Sequence, residues 1–249
     1  MTTEILAATT RQTELPAARR VLAVVAHPDD ETFGLGGLLG TYADAGADVA
    51  VLCFTRGEAS TLGVGRQDLS EQRSREFHRA ARTLGVRQAW LRAYPDGHLV
   101  DEPLAVLGDE VRQVAAAFGP ELLLAFHPAG ITGHPDHVRA TEAARHAAAH
   151  AGLPVLAWHV PATVAATLNT TFDAEFAIVD PVPGDLAVPV DRARQRAAFA
   201  CHDSQHGDLP VVERMIELLG EAEHLRPLNT VSSTAPDDAR PSTAQGAIR

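Results

Sequence analysis

Short apolar runs alternate with longer helical segments along most of this chain. The runs at residues 21–26 (VLAVVA) and 48–55 (DVAVLCFT) contain few polar residues, as expected of strands buried on both faces of a parallel sheet. A helical pattern follows each run, which is the order of repeated β-α-β units with right-handed crossovers. The sequence therefore predicts an α/β fold: a doubly wound, mostly parallel, Rossmann-like sheet in a three-layer αβα arrangement.

The remaining elements follow from the same patterns. Residues 161–171 are interpreted as a loop, and residues 1–228 as a single domain. The tail at residues 229–249 is rich in Ser, Thr, Ala and Pro, which predicts disorder. We predict further strands at residues 88–92, 121–126, 154–159 and 175–179, and helices at residues 35–45, 68–84, 104–118, 135–150, 191–200 and 211–223.

Composition narrows the classes of function. The chain has 249 residues, of which 45% are hydrophobic, and this is enough for a substantial core. Its net charge of -11, without a basic stripe, argues against nucleic acid as a partner. The polar N-terminus resembles no signal peptide, and no apolar stretch is long enough to span a bilayer, so we expect a cytoplasmic protein without a membrane partner. The oligomeric state, a homo-oligomer included, stays open.

Two clusters of histidine and carboxylate residues follow predicted strands. The first is His27-Pro28-Asp29-Asp30-Glu31, and the second is His134-Pro135-Asp136-His137 at the start of a helical pattern. Ligands of doubly wound sheets bind beyond the carboxyl ends of the strands. We therefore expect both clusters to meet at one edge of the sheet.

The residue types in these clusters are those of a metal-dependent hydrolase. Two imidazoles and one carboxylate leave one coordination position of a catalytic zinc open, and Fe²⁺ can share such ligands. The ion would lower the pKa of water and polarise a carbonyl. Asp29 is the best candidate to take the proton of the water. His134 suits stabilisation of the oxyanion and protonation of the leaving amine, and Asp136 could orient His134.

Other interpretations of these residues stay open. Asp29 and Asp30 could be helix-capping residues, and the role of Glu31 is undecided. His127, at the end of a predicted strand, is either structural or a support for the site. A non-catalytic metal-binding or sugar-binding protein is a further alternative, because fold does not fix function.

A dinucleotide-binding domain is disfavoured. Gly34, Gly36 and Gly37 follow the first strand, but Leu39 stands where G-x-G-x-x-G requires its third glycine. Asp29 and Asp30 would also repel a pyrophosphate at this turn.

At these residues the chain resembles the LmbE/PIG-L family of zinc-dependent N-deacetylases. The family signature A-H-P-D-D-E is present at residues 26–31, and the second signature, G-H-P-D-H, at residues 133–137. Weaker matches lie at residues 55–58 (T-x-G-E), 73–76 (R-x-x-E), 95–97 (P-D-G) and 202–205 (H-x-S-Q).

The resemblance implies a role for each matching residue. It implies His27, Asp30 and His137 as zinc ligands and Asp29 as the general base. His134 would be the acid that stabilises the oxyanion. Arg73 and Asp96 match family positions that contact sugar or polyol hydroxyls.

The resemblance also implies a class of substrate. Family substrates are small amino-sugar conjugates in which N-acetylglucosamine is linked to phosphatidylinositol, inositol, malate or an antibiotic, and some relatives cleave other N-acyl compounds or mycothiol conjugates. Certain thiol-pathway deacetylases carry a mobile tyrosine two residues before the first histidine of the second signature, and here that residue is Thr132. We expect a soluble conjugate, with a thiol conjugate as the alternative substrate.

Overall fold

The computed structural model describes residues 11–63 and 68–228, so the predicted tail at residues 229–249 lies outside the described residues. The strands are β1 (Arg11–Gln12), β2 (Arg20–Val25), β3 (Asp48–Thr55), β4 (Gln88–Tyr94), β5 (Leu122–Phe126), β6 (Val155–Trp158), β7 (Leu186–Pro189) and β8 (Ala222–Leu228). The α-helices are α1 (Asp30–Phe33), α2 (Gly36–Asp44), α3 (Leu69–Leu84), α4 (Leu104–Phe118), α5 (Pro135–Ala151), α6 (Ala162–Phe172), α7 (Ala193–Phe199) and α8 (Leu209–Leu219). In the same described ranges, 3-10 helices lie at Thr61–Gly63, Leu99–Asp101 and Asp203–Asp208.

The strands form one eight-stranded sheet in the order β1-β7-β8-β6-β5-β2-β3-β4. Strand β2 pairs in parallel with β3 on one side and with β5 on the other, and β3–β4, β5–β6 and β1–β7 are also parallel. Only β8 runs against its neighbours, β6 and β7, among the paired strands described. The predicted doubly wound, mostly parallel sheet is confirmed.

Alternate side chains of β2 enter two separate hydrophobic cores. Val21 and Val25 pack in the core beneath α2, α3, α6, α7 and α8, whereas Leu22 and Val24 pack in the core beneath α4 and α5. Both faces of the strand are therefore buried, which explains its continuous apolar sequence. The predicted three-layer arrangement is present. The extent of the domain, residues 1–228, stays a prediction because residues 1–10 and 64–67 lie outside the described ranges.

The C-terminal third departs from the predicted elements. The predicted strand at residues 175–179 is wrong, because only an isolated bridge joins Val179 to Pro161. The predicted loop at residues 161–171 is the helix α6, whose threonine-rich sequence obscures its apolar positions. The predicted helix at residues 211–223 ends at Leu219, before Gly220 with a φ of 61° and strand β8.

The parallel strands carry the polar segments to one edge of the sheet. Strands β2 and β5 are neighbours at the centre, and the chain leaves them toward opposite sides of the sheet. The first cluster follows β2 directly, and the second forms the start of α5, with His134 as its N-cap residue. Such a point of divergence is where open α/β sheets bind ligands. Within the described ranges, no helix combines the length and the apolar composition needed to cross a bilayer.

Gly34, directly after α1, is a position at which the packing of this edge can be tested. A Cβ atom there would lie 2.6 Å from Cε1 of Phe126 and 2.9 Å from Cζ3 of Trp158. Both rings are buried, so we expect Gly34→Ala to lower the free energy of unfolding by about 1–3 kcal/mol through overpacking. Urea unfolding measures the change.

Gly40→Ala is the matched control for that variant. It lies within α2, and its Cβ would come no closer than 3.1 Å, to Cβ of Arg194. The gain in helix propensity, about 1 kcal/mol, should offset any crowding. Equal loss of stability in both variants would contradict the packing argument.

His159, at the end of β6, makes stability depend on pH. The ring is 6% exposed and neither nitrogen has a hydrogen-bond partner among the described residues. Burial lowers the pKa of His159 to about 4, although the charge of Asp185 opposes this shift. Between that value and the ordinary pKa near 6.5, the unfolded chain binds the proton more tightly, so stability falls as the pH falls.

We therefore expect His159→Phe to reduce the loss of stability between pH 7 and pH 5. One buried histidine with this shift accounts for about 2 kcal/mol of that loss. Urea unfolding of both proteins at the two pH values measures the difference. An identical pH dependence in the variant would contradict the assignment of a neutral, buried His159.

Candidate active site

The first cluster folds into a tight turn held by Asp30. Its Oδ2 accepts hydrogen bonds from the backbone N–H groups of Ala26, at 3.0 Å, and His27, at 2.9 Å. Asp30 is also the first residue of α1, so its side chain joins the end of β2 to the start of this helix. Its second oxygen, Oδ1, is directed at α5.

Three side chains converge beside this turn. Nδ1 of His27 lies 3.1 Å from Nε2 of His137, and the same Nε2 lies 3.1 Å from Oδ1 of Asp30. One ligand atom from each residue falls within 4.8 Å of the others. All three residues are buried, and all three line the cavity described below.

Carboxylates surround the outer nitrogen of His27. Its Nε2 lies 3.1 Å from Oδ1 of Asp96 and 3.3 Å from Oδ2 of Asp136. Burial lowers the pKa of His27, but the hydrogen bonds to Asp136 and Asp96 and the charge of Asp30 outweigh it and raise the pKa to about 10. The surroundings thus favour positive charge at this point, whether a proton or a metal ion carries it.

The donor set of His27, Asp30 and His137 fits a divalent transition metal. Two imidazole nitrogens and one carboxylate oxygen that face one point form a usual set of three protein ligands for catalytic zinc. Nε2 of His27 faces carboxylates, as the outer nitrogen of a metal-binding histidine usually does. Nδ1 of His137, in contrast, has no hydrogen-bond partner among the described residues.

Asp29 lies beside these residues without belonging to their converging set. Its Oδ2 accepts a hydrogen bond from Nη2 of Arg73 at 2.9 Å. Burial raises the pKa of Asp29 to about 6 against the opposing charge of Arg73. A carboxylate with a pKa close to neutral is suited to accept a proton.

The guanidinium of Arg73, predicted to contact substrate hydroxyls, has three hydrogen-bond partners within the protein. Besides Asp29, its guanidinium donates to the carbonyl oxygens of Gly57 and Pro28. Arg73 and Asp96 both line the cavity, and Oδ2 of Asp96 accepts the N–H of Ala59 at 2.7 Å. Contact of either side chain with substrate stays a prediction.

His134 caps the N-terminus of α5. Its Nδ1 accepts the backbone N–H of Asp136 at 3.2 Å, which leaves the hydrogen of the neutral ring on Nε2. Its ring centroid lies 4.9 Å from that of His27. Burial and the charges of His27 and His137 lower the pKa of His134, so the neutral ring is favoured.

The predicted orientation of His134 by Asp136 differs from the structure. Both oxygens of the Asp136 carboxylate are directed elsewhere, because they accept the backbone N–H groups of Gly97 at 2.8 Å and Leu99 at 3.0 Å. The carboxylate also lies 3.3 Å from Nε2 of His27, so it orients His27, and it is the backbone N–H of Asp136 that donates to His134. His127 lies outside the cavity lining and contacts Nη1 of Arg226 at 3.0 Å.

Two residues without an assigned role form a buried pair. Oε1 of Glu31 lies 2.8 Å from Nε2 of His202, and both side chains are fully buried. Burial lowers the pKa of His202, but the charge and hydrogen bond of Glu31 raise it above its ordinary value. Two motif matches contain these residues, but neither match indicated that they pair.

The candidate metal ligands and their neighbours form the floor of a cavity of about 410 Å³. His27, Asp29, Asp30, His134 and His137 all line it. Within the lining, the hydroxyl of Ser60 donates to Oε1 of Gln205 at 2.9 Å. The apolar side chains in the cavity lining include Phe33, Leu62 and Ile131.

Comparison with known proteins places this geometry in a family. Residues 22–148 match the PIG-L family, described as GlcNAc-PI de-N-acetylase. A 1D-myo-inositol 2-acetamido-2-deoxy-alpha-D-glucopyranoside deacetylase of Nakamurella multipartita is 32% identical over 275 residues, covering 86% of this chain and 90% of the relative. The protein of the same name from Corynebacterium diphtheriae is 30% identical, covering 75% and 76%.

Solved structures agree on the fold. A deacetylase of the teicoplanin biosynthesis pathway superimposes with a TM-score of 0.68 at 21% identity, covering 84% of this chain and 97% of that protein. At 21% identity, this structural likeness shows the fold alone. Membership of the family is shown by the sequence matches. The chain belongs to the PIG-L family of de-N-acetylases, which are amide hydrolases.

Proposed function

We propose that this protein hydrolyses the N-acetyl group of an N-acetylglucosamine conjugate with the help of a bound zinc ion, for which Fe²⁺ is the alternative. The observation that carries the proposal is the convergence of His27, Asp30 and His137 beside Asp29 at the floor of one cavity. When bound, a divalent ion supplies Lewis-acid chemistry, because it polarises an amide carbonyl and lowers the pKa of water.

Asp29 is the proposed general base. Its carboxylate accepts one proton of the attacking water, while the water oxygen forms the new bond to the acetyl carbon. The pKa of about 6 and the contact with Arg73 keep the carboxylate ionised and oriented at neutral pH. The same carboxyl group can then return this proton to the amine nitrogen as the C–N bond breaks, giving a free amine and acetic acid, which releases its proton to solvent to become acetate.

His134 is the proposed oxyanion donor. The lowered pKa favours its neutral form, and the N–H of Asp136 at Nδ1 leaves Nε2–H to donate to the developing negative charge. Protonation of the amine by a neutral ring would leave an imidazolate, which is why the proposal gives that proton to Asp29.

Similarity to the two named relatives points to an inositol-linked N-acetylglucosamine as the substrate. Both named relatives are deacetylases of such a conjugate, and one of them is matched over 90% of its length. The proposal includes a cytoplasmic location. Thiol conjugates are the alternative substrates. Amine release from the inositol and malate conjugates of N-acetylglucosamine and from a mycothiol conjugate, measured side by side, tests the choice. Zinc binding without release from any of them would favour the non-catalytic alternative.

We expect Asp29→Asn to bind zinc normally and to lose most of its activity. The amide keeps the size of the side chain but cannot accept the proton, which should lower kcat by about 10²- to 10⁴-fold. Steady-state kinetics and elemental analysis of the same preparation measure the two effects.

Asp48→Asn is the control for this variant, since it alters a carboxylate at the opposite end of the sheet, where β3 begins. It should retain the wild-type kcat. Full turnover by Asp29→Asn would contradict the assignment of the base.

We expect His137→Ala to lose the metal. One of three proposed protein ligands is removed, so zinc content should fall from about one ion per chain to a small fraction of that. His150→Ala, at the exposed end of the same helix, is the matched control and should retain zinc. Retention of zinc by both variants, measured by elemental analysis after dialysis, would remove His137 from the ligand set.

A further inference from the structure

The buried pair of Glu31 and His202 is connected to the proposed base. One carboxylate oxygen of Glu31 lies 2.8 Å from Nε2 of His202, and the other accepts the backbone N–H of Asp29 at 2.9 Å. The three groups form a continuous chain: imidazole, carboxylate and the backbone of Asp29. The mechanism above uses neither Glu31 nor His202.

Asp29 needs such support because its backbone is strained. Its φ of 125° and ψ of -27° lie in a region that L-residues rarely adopt. Strain of this kind persists only where the surroundings enforce it. Its carbonyl oxygen accepts the N–H groups of Thr32 at 2.9 Å and Phe33 at 2.7 Å, so the contact with Glu31 is what holds its N–H side.

His202 is itself fixed to the helix that orients the carboxylate of Asp29. Two residues further on, the Ser204 hydroxyl donates to Oε2 of Glu76 at 2.6 Å. Glu76 lies on α3, which also carries Arg73, and Arg73 binds the carboxylate of Asp29. Helix α3 is thus connected to the side chain of Asp29 through Arg73 and to its backbone through His202 and Glu31.

Stability alone is a weak reason for this pair. Two charged groups taken out of water regain little net stability, and apolar residues of similar size often stabilise a protein as well or better. A carboxylate that joins an imidazole to one strained backbone N–H has a more specific consequence, namely a fixed direction for the side chain of that residue.

We propose that Glu31 and His202 are positioning residues that hold Asp29 in the conformation required for proton transfer. This inference rests on the proposed role of Asp29 as the base. Neither residue touches the substrate or transfers a proton itself in this proposal.

Two amide substitutions of His202 differ only in how far the side-chain nitrogen extends toward Glu31. In His202→Gln the amide nitrogen takes the place of Nε2 and can still donate to Glu31, whereas in His202→Asn it is one methylene too short. We expect His202→Asn to lower kcat, per bound zinc, by about 10- to 100-fold with KM and zinc content unchanged. His202→Gln should keep most of the wild-type kcat.

Asp185→Asn controls for a general loss of stability. This carboxylate is also buried, in an ion pair with Arg226 at 2.7 Å that lies outside the cavity lining. We expect a lower Tm and an unchanged kcat. If His202→Asn behaves in the same way, the pair is merely structural and the proposal is overturned. If His202→Asn does not fold, Glu31→Asp tests the same connection, because its carboxylate is one methylene shorter. We expect it to have the same effects on kcat, KM and zinc content as His202→Asn.

Amide hydrogen exchange separates this proposal from the proposed function. In zinc-loaded protein, the N–H of Asp29 should exchange faster in His202→Asn than in the wild type and in His202→Gln. This readout needs no substrate, so it decides the positioning claim even if the wild type releases no amine from any conjugate. Equal exchange rates at Asp29 in all three proteins would overturn the claim, while activity of the wild type would leave the proposed function intact.

Discussion

The hydrogen bonds from the backbone of Ala26 and His27 to the carboxylate of Asp30 are the interaction on which the site depends. They close the turn after β2 and start α1, and they leave Oδ1 of Asp30 directed at His137. The same turn gives Asp29 its positive φ and places its carboxylate next to the three converging side chains. One carboxyl group therefore sets both the local backbone and one side of the candidate metal site.

Charge compensation around this turn unites residues from distant parts of the chain. Asp96 and Asp136 face His27, Arg73 faces Asp29, and His202 faces Glu31. Each partner lies on or beside a different element, so the site forms only when the central strands and the helices on both faces have assembled. This is the expected arrangement for a site at the point where neighbouring strands of a doubly wound sheet diverge.

The sequence predicted the central parallel strands better than the C-terminal part of the sheet. After Arg20, strand β2 is apolar and buried on both faces, whereas β8 alternates buried and partly exposed side chains over its first half and follows α8 after one short turn. The pairing of Glu31 with His202 spans 171 residues, so local spacing could not indicate it. The direction of the Asp136 carboxylate depends on the backbone of Gly97 and Leu99, which no motif encodes.

Zinc-edge X-ray absorption of the protein loaded with one equivalent of zinc tests the central claim most directly, because it reports the ligand atoms themselves. The account predicts imidazole nitrogen and carboxylate oxygen at about 2.0–2.2 Å, and no sulfur. His137→Ala should lose this signal. A sulfur shell near 2.3 Å, or zinc that fails to bind at one equivalent, would contradict the claim that His27, Asp30 and His137 hold the ion.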